Sequence, residues 1–178
     1  ILEAYREVAS VLDYPLHLGV TEAGGGESGI IKSAVGLGAM LMDGLGDTLR
    51  VSLTGDPVPE IAAGYGILRA AGVRLSGVEV ISCPTCGRTG IDVEGLAREV
   101  ERRTAGIQKP LRVAVMGCVV NGPGEAREAD VGIAGGQDGG ALFIKGELPR
   151  KVPQDKLLDA LLEAIDRIAG DPNVQTQC

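Results

Sequence analysis

Apolar residues recur along this chain in two rhythms, one helical and one extended. Leu2, Tyr5, Ala9 and Leu12 fall on one face of a predicted helix over residues 1–12. PLHLGVT then reads as a short buried strand. A glycine turn, Gly24 to Gly26, leads into a helix whose predicted stripe is Ile30, Ala34, Leu37 and Leu41. TLRVSL is the next strand. Asp56 and Pro57 suit an N-cap and a first helical residue, opening a helix that carries Ile61, Tyr65 and Leu68. The order αβαβα builds a parallel sheet, open or closed into a barrel.

A break near Ser76 and Gly77 precedes the strand VEVIS and a C-P-T-C loop. Asp92 is placed to cap a helix running through Arg103. The strand LRVAVMG ends at Cys118. VGIAG and ALFIK follow as short strands around the turn GGQDGG. A last amphipathic helix turns Leu157, Leu158, Leu161, Leu162, Ile165 and Ile168 inward. Two units are expected, residues 1–75 and 76–170, followed by a frayed tail over 171–178.

At 178 residues and 44% apolar, the chain is large enough for a real core. With three Tyr, one Phe and no Trp, that core is aliphatic, and base-stacking surfaces are disfavoured. Seventeen basic against 24 acidic residues give a net charge of −7, which disfavours nucleic acid or an anionic membrane as partner. No apolar run approaches a transmembrane span, and no signal-peptide pattern is read. The chain starts at Ile1 and enters a helical pattern at once, as expected of a piece of a longer protein.

The candidate chemistry lies in four cysteines and one histidine. Cys83 and Cys86 form the C-x-x-C step, and Cys118 ends the next strand. Two neighbouring strands that bring these ends to one sheet edge make a three-thiolate site. Such steps hold zinc or iron–sulfur clusters, because a tight turn aims both sulfurs at one centre. Glu125, beyond the turn N-G-P-G, is a candidate fourth ligand. Three Cys with an exchangeable carboxylate favour a 4Fe–4S cluster with one substitutable iron. A zinc knuckle and a thioredoxin-like dithiol stay open as alternatives. Cys178 reads as a free tail thiol, and His17 as a satisfied core or layer residue.

An anion site is expected in the first unit. Glu22 follows a strand directly, and Arg50 and Ser52 alternate on TLRVSL and so share a face. Lys32 sits on the helix after the glycine turn. Glycines, a helix N-terminus and a nearby cation suit a phosphate or diphosphate.

LHLGVTEAGGGESGIIKSA, GDTLRVSLT, CPTCGRT and GCVVNGPGEA together closely resemble the C-terminal half of the 4-hydroxy-3-methylbut-2-enyl diphosphate synthase family, over nearly all of residues 1–170. The resemblance implies the last βα units of a TIM-type barrel followed by a sulfite-reductase-like α/β domain. It implies a 4Fe–4S cluster held by Cys83, Cys86, Cys118 and Glu125. It makes Glu22, Arg50, Ser52 and Asn121 substrate contacts and gives Glu22 and Glu125 catalytic roles; Lys32 joins them from the residue pattern alone, not from the resemblance. It further implies 2-C-methyl-D-erythritol 2,4-cyclodiphosphate as substrate, and ferredoxin or flavodoxin as electron donor. The family forms homodimers in which the cluster domain of one subunit caps the barrel of the other. The implied location is bacterial cytoplasm or plastid stroma. Since the earlier barrel strands are not in the sequence, the chain alone is expected not to turn over substrate. A non-enzymatic electron-transfer module and a structural zinc domain remain as rival readings.

Overall fold

A computed structural model describes residues 1–136, 138–145, 147 and 149–170. Cys178 and the tail 171–178 lie outside the described residues, as does Gln137 in the GGQDGG turn. The chain packs as two units, one formed by Ile1–Leu75 and one beginning at Ser76.

The first unit has the order α1 (Leu2–Val11), β1 (His17–Gly19), α2 (Gly26–Met42), β2 (Thr48–Arg50) and α3 (Val58–Ala70). β1 and β2 form a two-stranded parallel sheet, with Gly19 opposite Arg50. The core is small and aliphatic: Leu18, Leu37, Met40, Leu41, Val51 and Ile67. Glycine lets the connecting turn reach it, because a side chain at Gly46 would collide with Leu18 and its φ is +98°.

Several sequence expectations shift here. The α2 face that is buried is Ser33, Leu37, Met40 and Leu41, while Ile30 is exposed. On α3 the buried residues are Gly64 and Ile67, whereas Ile61 and Tyr65 face solvent. Helix α1 buries no residue fully; Leu2 and Tyr5 pack partly on the core. The hydrogen-bonded part of TLRVSL stops at Arg50, so Ser52 lies beyond the strand. Helix α3 begins one residue later than expected, yet the Asp56 carboxylate still accepts the Val58 N–H at 3.0 Å. His17 is exposed rather than core. Its ring Nδ1 lies 2.8 Å from Thr48 Oγ1, which satisfies it across the two strands.

The second unit is a mixed five-stranded sheet in the order β3-β4-β5-β6-β7. β3 (Val78–Ser82), β4 (Leu111–Met116) and β5 (Val131–Gly136) are parallel; β6 (Gly139–Ile144) runs antiparallel to β5, and β7 (Arg150–Val152) antiparallel to β6. α4 (Val93–Thr104), α5 (Gly122–Glu128) and α6 (Leu157–Gly170) cover it. Alternation on the strands sorts the two faces. Val113, Val115, Val131 and Ile133 pack with Val93 and Val100 of α4 and with Leu157, Leu161, Ile165 and Ile168 of α6. Ala114, Met116 and Ala134 point the other way, onto Ala126 of α5. Burial on both faces is why β4 reads as a continuous apolar run.

The α5 face is built from small residues. A Cβ on Gly132 would meet Ala114 Cβ at 2.9 Å and Ala126 Cβ at 3.1 Å. Helix α5 therefore rides close to the sheet. NGPGE, expected as a turn, is the start of this helix, with Pro in its first turn where no backbone donor is needed. The Asp92 cap is present: its carboxylate accepts the Gly95 N–H at 2.9 Å.

Candidate metal centre and anion-binding end

β3 and β4 are parallel neighbours, paired up to Ser82 opposite Val115. Their C-terminal ends therefore carry Cys83 and Cys118 at one edge of the sheet. The Cys83 N–H continues the ladder to Val115 O at 3.4 Å. From Cys83 the chain leaves the sheet through Pro84, Thr85 and Cys86. It returns at Gly90, whose N–H donates to Gly117 O at 2.8 Å. The Gly117 N–H donates to Cys83 Sγ at 3.3 Å. Cys86 is exposed, Cys83 half-buried and Cys118 8% exposed.

The local electrostatics favour thiolates. The Arg88 backbone N–H and then its guanidinium, with the Thr89 hydroxyl, hold the Cys86 thiol below the usual thiol range. The backbone N–H groups of Asn121, Gly122 and Val120 face the Cys118 sulfur and lower its pKa, with a smaller contribution from the Arg88 charge. The Asn121 and Gly122 amides are free to do so because they stand at the N-terminus of α5.

Among the described residues, no three His, Cys, Asp or Glu side chains stand close enough to hold one metal ion. The donor set is soft, with Cys86 and Cys118 favoured as thiolates and the Gly117 N–H donating to the Cys83 sulfur. That chemistry suits an iron–sulfur cluster, whose several iron atoms need sulfurs set wider apart than a single ion does. Glu125 sits in the first turn of α5 and is exposed. Asn121 is its N-cap residue. Sequence reasoning missed Arg88, Thr89, Gly117 and the α5 amides. Only the first three have letters that point to them, as neighbours of the cysteines.

In the first unit, Glu22 and Ser52 follow the C-terminal ends of the paired strands β1 and β2. Arg50 lies opposite Gly19, and its guanidinium lies over that glycine, 3.3 Å from where a Cβ would stand. Glu22 has φ 57°, a left-handed conformation uncommon outside glycine. Gly25 caps α2, and Gly24 O accepts the Thr54 N–H at 3.0 Å, tying the glycine turn to the segment after β2. Glu22, Lys32 and Arg50 are exposed. Among the described residues, no hydrogen bond or ion pair engages their side chains. On the α3 side of β2, a groove of about 610 Å³ is lined by Arg50, Ile61, Tyr65 and Arg74 among others.

These features define an α/β protein whose candidate ligand sites lie beyond the carboxyl ends of parallel strands, with three cysteines at one such edge. Sequence models of two domains match the chain: the GcpE TIM-barrel domain over residues 1–65 and the GcpE protein C-terminal domain over residues 79–167. The chain belongs to the GcpE family. A protein of Caldanaerobacter subterraneus subsp. tengcongensis named 4-hydroxy-3-methylbut-2-en-1-yl diphosphate synthase (flavodoxin) is 63% identical over 170 residues, covering 96% of this chain and 48% of its own length. A Geobacter sulfurreducens protein of the same name is 61% identical over 168 residues, covering 94% of this chain and 48% of its own. A Streptomyces coelicolor relative, the synthase (flavodoxin) 1, is 56% identical, with 95% and 44% covered. The chain thus spans about half the length of the curated relatives it matches, and corresponds to their C-terminal portion.

Proposed function

We propose that this chain is the C-terminal part of a 4-hydroxy-3-methylbut-2-enyl diphosphate synthase. The reaction opens 2-C-methyl-D-erythritol 2,4-cyclodiphosphate to the linear allylic diphosphate. It takes up two electrons and two protons, breaks the ring C–O bond to phosphate and releases one water. Relatives at 63% and 61% identity carry the synthase name with flavodoxin in it, which supports flavodoxin over ferredoxin as donor.

Cys83, Cys86 and Cys118, with Glu125 as the exchangeable fourth group, would hold a 4Fe–4S cluster. When bound, the cluster supplies the single electrons that the protein itself cannot. The observation that carries this reading is the placement of Cys83 and Cys118 on the ends of paired strands, with the Gly117 N–H on the Cys83 sulfur. In the barrel unit, Arg50 offers the diphosphate a guanidinium that has no ion-pair partner among the described residues. A bidentate Arg–phosphate contact adds geometry as well as charge. The N-terminus of α2 and Lys32 add positive potential, and Ser52 a hydroxyl. Glu22, beyond the end of β1, donates a proton to, or orients charge at, the opening ring. Asn121 contributes an amide from the thiol-bearing loop.

The second unit is read as a sulfite-reductase-like module, a reading supported by its mixed sheet with helices on both faces. Residues 1–75 are read as the closing βα units of a barrel and 76–170 as the thiol-bearing domain. A homodimer in the bacterial cytoplasm follows the same resemblance. No described helix is long and apolar enough to cross a membrane. The chain alone is expected not to turn over substrate.

Iron and acid-labile sulfide per chain, with a visible spectrum after anaerobic reconstitution, test the assignment. About four of each, with charge-transfer absorption, are expected. Zinc without sulfide, or no metal at all, refutes it.

A further inference from the structure

We propose that Thr89 and Gly117 form a clasp that positions Cys83, Cys86 and Cys118 relative to one another before any cluster is bound. The proposal rests on the three-thiol reading of this edge.

The C-P-T-C loop is exposed and contains no residue of a regular element, so something must fix its shape. Thr89 does so from two atoms. Its Oγ1 accepts the Cys86 N–H at 3.0 Å, and its own N–H donates to Cys86 O at 3.0 Å. Gly117 ties the same loop to the end of β4 from two more. Its carbonyl accepts the Gly90 N–H at 2.8 Å, and its N–H reaches Cys83 Sγ at 3.3 Å. The two halves touch. A Cβ on Gly117 would lie 2.7 Å from Thr89 Cγ2 and 2.7 Å from Val93 Cγ2, so only glycine leaves room for the Thr89 methyl. Every thiol is then one step from the clasp: Cys83 through its sulfur, Cys86 through its N–H, and Cys118 as the residue after Gly117. A turn-closing threonine alone would serve only local folding. What sets Thr89 apart is its packing against the strand end that carries the third thiol.

Thr89→Val keeps the shape and removes the acceptor; Thr89→Ser keeps the acceptor. In the metal-free, reduced protein, amide hydrogen exchange at Cys86 should quicken about tenfold in the valine variant, the scale of one lost hydrogen bond. It should stay near the parent rate in the serine variant. The Leu96 N–H, which donates to Asp92 O in α4, should not change in either. After anaerobic reconstitution, loss of the visible absorption to a chelator should be several-fold faster in Thr89→Val. The electron paramagnetic resonance line shape of the reduced sample should broaden, and both should be restored by serine. Unchanged Cys86 exchange overturns the clasp, as does a serine variant that behaves like valine. Faster exchange with parent-like absorption loss and line shape overturns its positioning role. A parent protein that takes up no iron or sulfide sinks the proposed function instead, and exchange alone then decides the clasp.

Discussion

Gly135→Ala is a stringent probe of how tightly the thiol loop is seated on the sheet. Gly135 lies on β5 and is buried. A Cβ built there stands 2.6 Å from Ile91 Cγ2 and 2.7 Å from Cγ1, with Cδ1 also in the way. All three are atoms of one β-branched side chain, so rotating about χ2 clears only one of them, and χ1 is stiff. Ile91 is 8% exposed and belongs to the main core. It also follows Gly90, which anchors the thiol loop to Gly117. Overpacking of this kind costs about 1–3 kcal/mol, while replacing glycine gains about 0.4–1 kcal/mol through the unfolded chain. The net expectation is a loss of about 1–2 kcal/mol. With a urea slope of about 2 kcal/mol per molar, the midpoint falls by roughly 0.5–1 M. The chain has no Trp, so far-UV circular dichroism is the probe of choice. Ile91→Ala alone leaves a cavity and costs about 2–5 kcal/mol. In the double variant the new methyl enters that cavity. The two losses should then fall short of additivity by at least about 1 kcal/mol. A Gly135→Ala variant as stable as the parent, or strict additivity in the pair, would refute the close contact.

Two further perturbations test other parts of the molecule. Ser33 Oγ is fully buried in α2 without a hydrogen-bond partner among the described residues, so Ser33→Ala should stabilise the first unit by about 1–3 kcal/mol; a destabilised variant in urea unfolding contradicts this. In the reduced, metal-free chain, Cys86 should be the first of the three described thiols alkylated by iodoacetamide, because it is exposed and its pKa is lowered, whereas Cys118 is lowered but 8% exposed. A lowered folded-state pKa means that the thiolate contribution is complete above the unfolded value and is lost as pH falls through the folded one. Cys86 should thus stay reactive at lower pH than an ordinary thiol, and Arg88→Ala should move its profile up. Mass spectrometry of the alkylated peptides reads both, and an Arg88→Ala profile that does not move contradicts the electrostatic assignment.

The middle of the second unit's sheet was legible because β4 and β5 are buried on both faces and mostly apolar, and the C-x-x-C step and Gly117-Cys118 stood at strand ends. What escaped has physical causes. β7 is a short, charged edge strand, Arg150–Val152, with no hydrophobic alternation to read. Helix α5 escaped because Gly122, Pro123 and Gly124 look like turn residues. Gly122 is there for close approach, since a Cβ would lie 2.9 Å from Met116 Cβ. In the first unit the large residues misled. Ile61 and Tyr65 are exposed because the core of α3 is reached through Gly64 and Ile67. The three sulfurs could be counted in the sequence, but the amides that favour the Cys118 thiolate belong to the backbone, which has no letter.

This difference between the units bears on where chemistry can be exact. A functional group is held well only when the element beneath it is fixed by packing. β4 is buried on both faces between α4, α6 and α5, so Gly117 and Cys118 leave the sheet from a position with little freedom. Neighbouring β3 is only partly buried, and the loop after it is exposed. Precision at Cys83 and Cys86 therefore comes from hydrogen bonds that refer them back to β4. The first unit has no such reference. Two three-residue strands make a sheet that is marginal by itself, and Ile31, Val35, Val58 and Ile61 remain exposed around it. Arg50 ends β2 and Glu22 lies just beyond β1, and among the described residues no further strand pairs with the outer edge of either. Their placement can be no more exact than that sheet. The thiol edge, by contrast, draws its geometry from β4, which is packed on both faces.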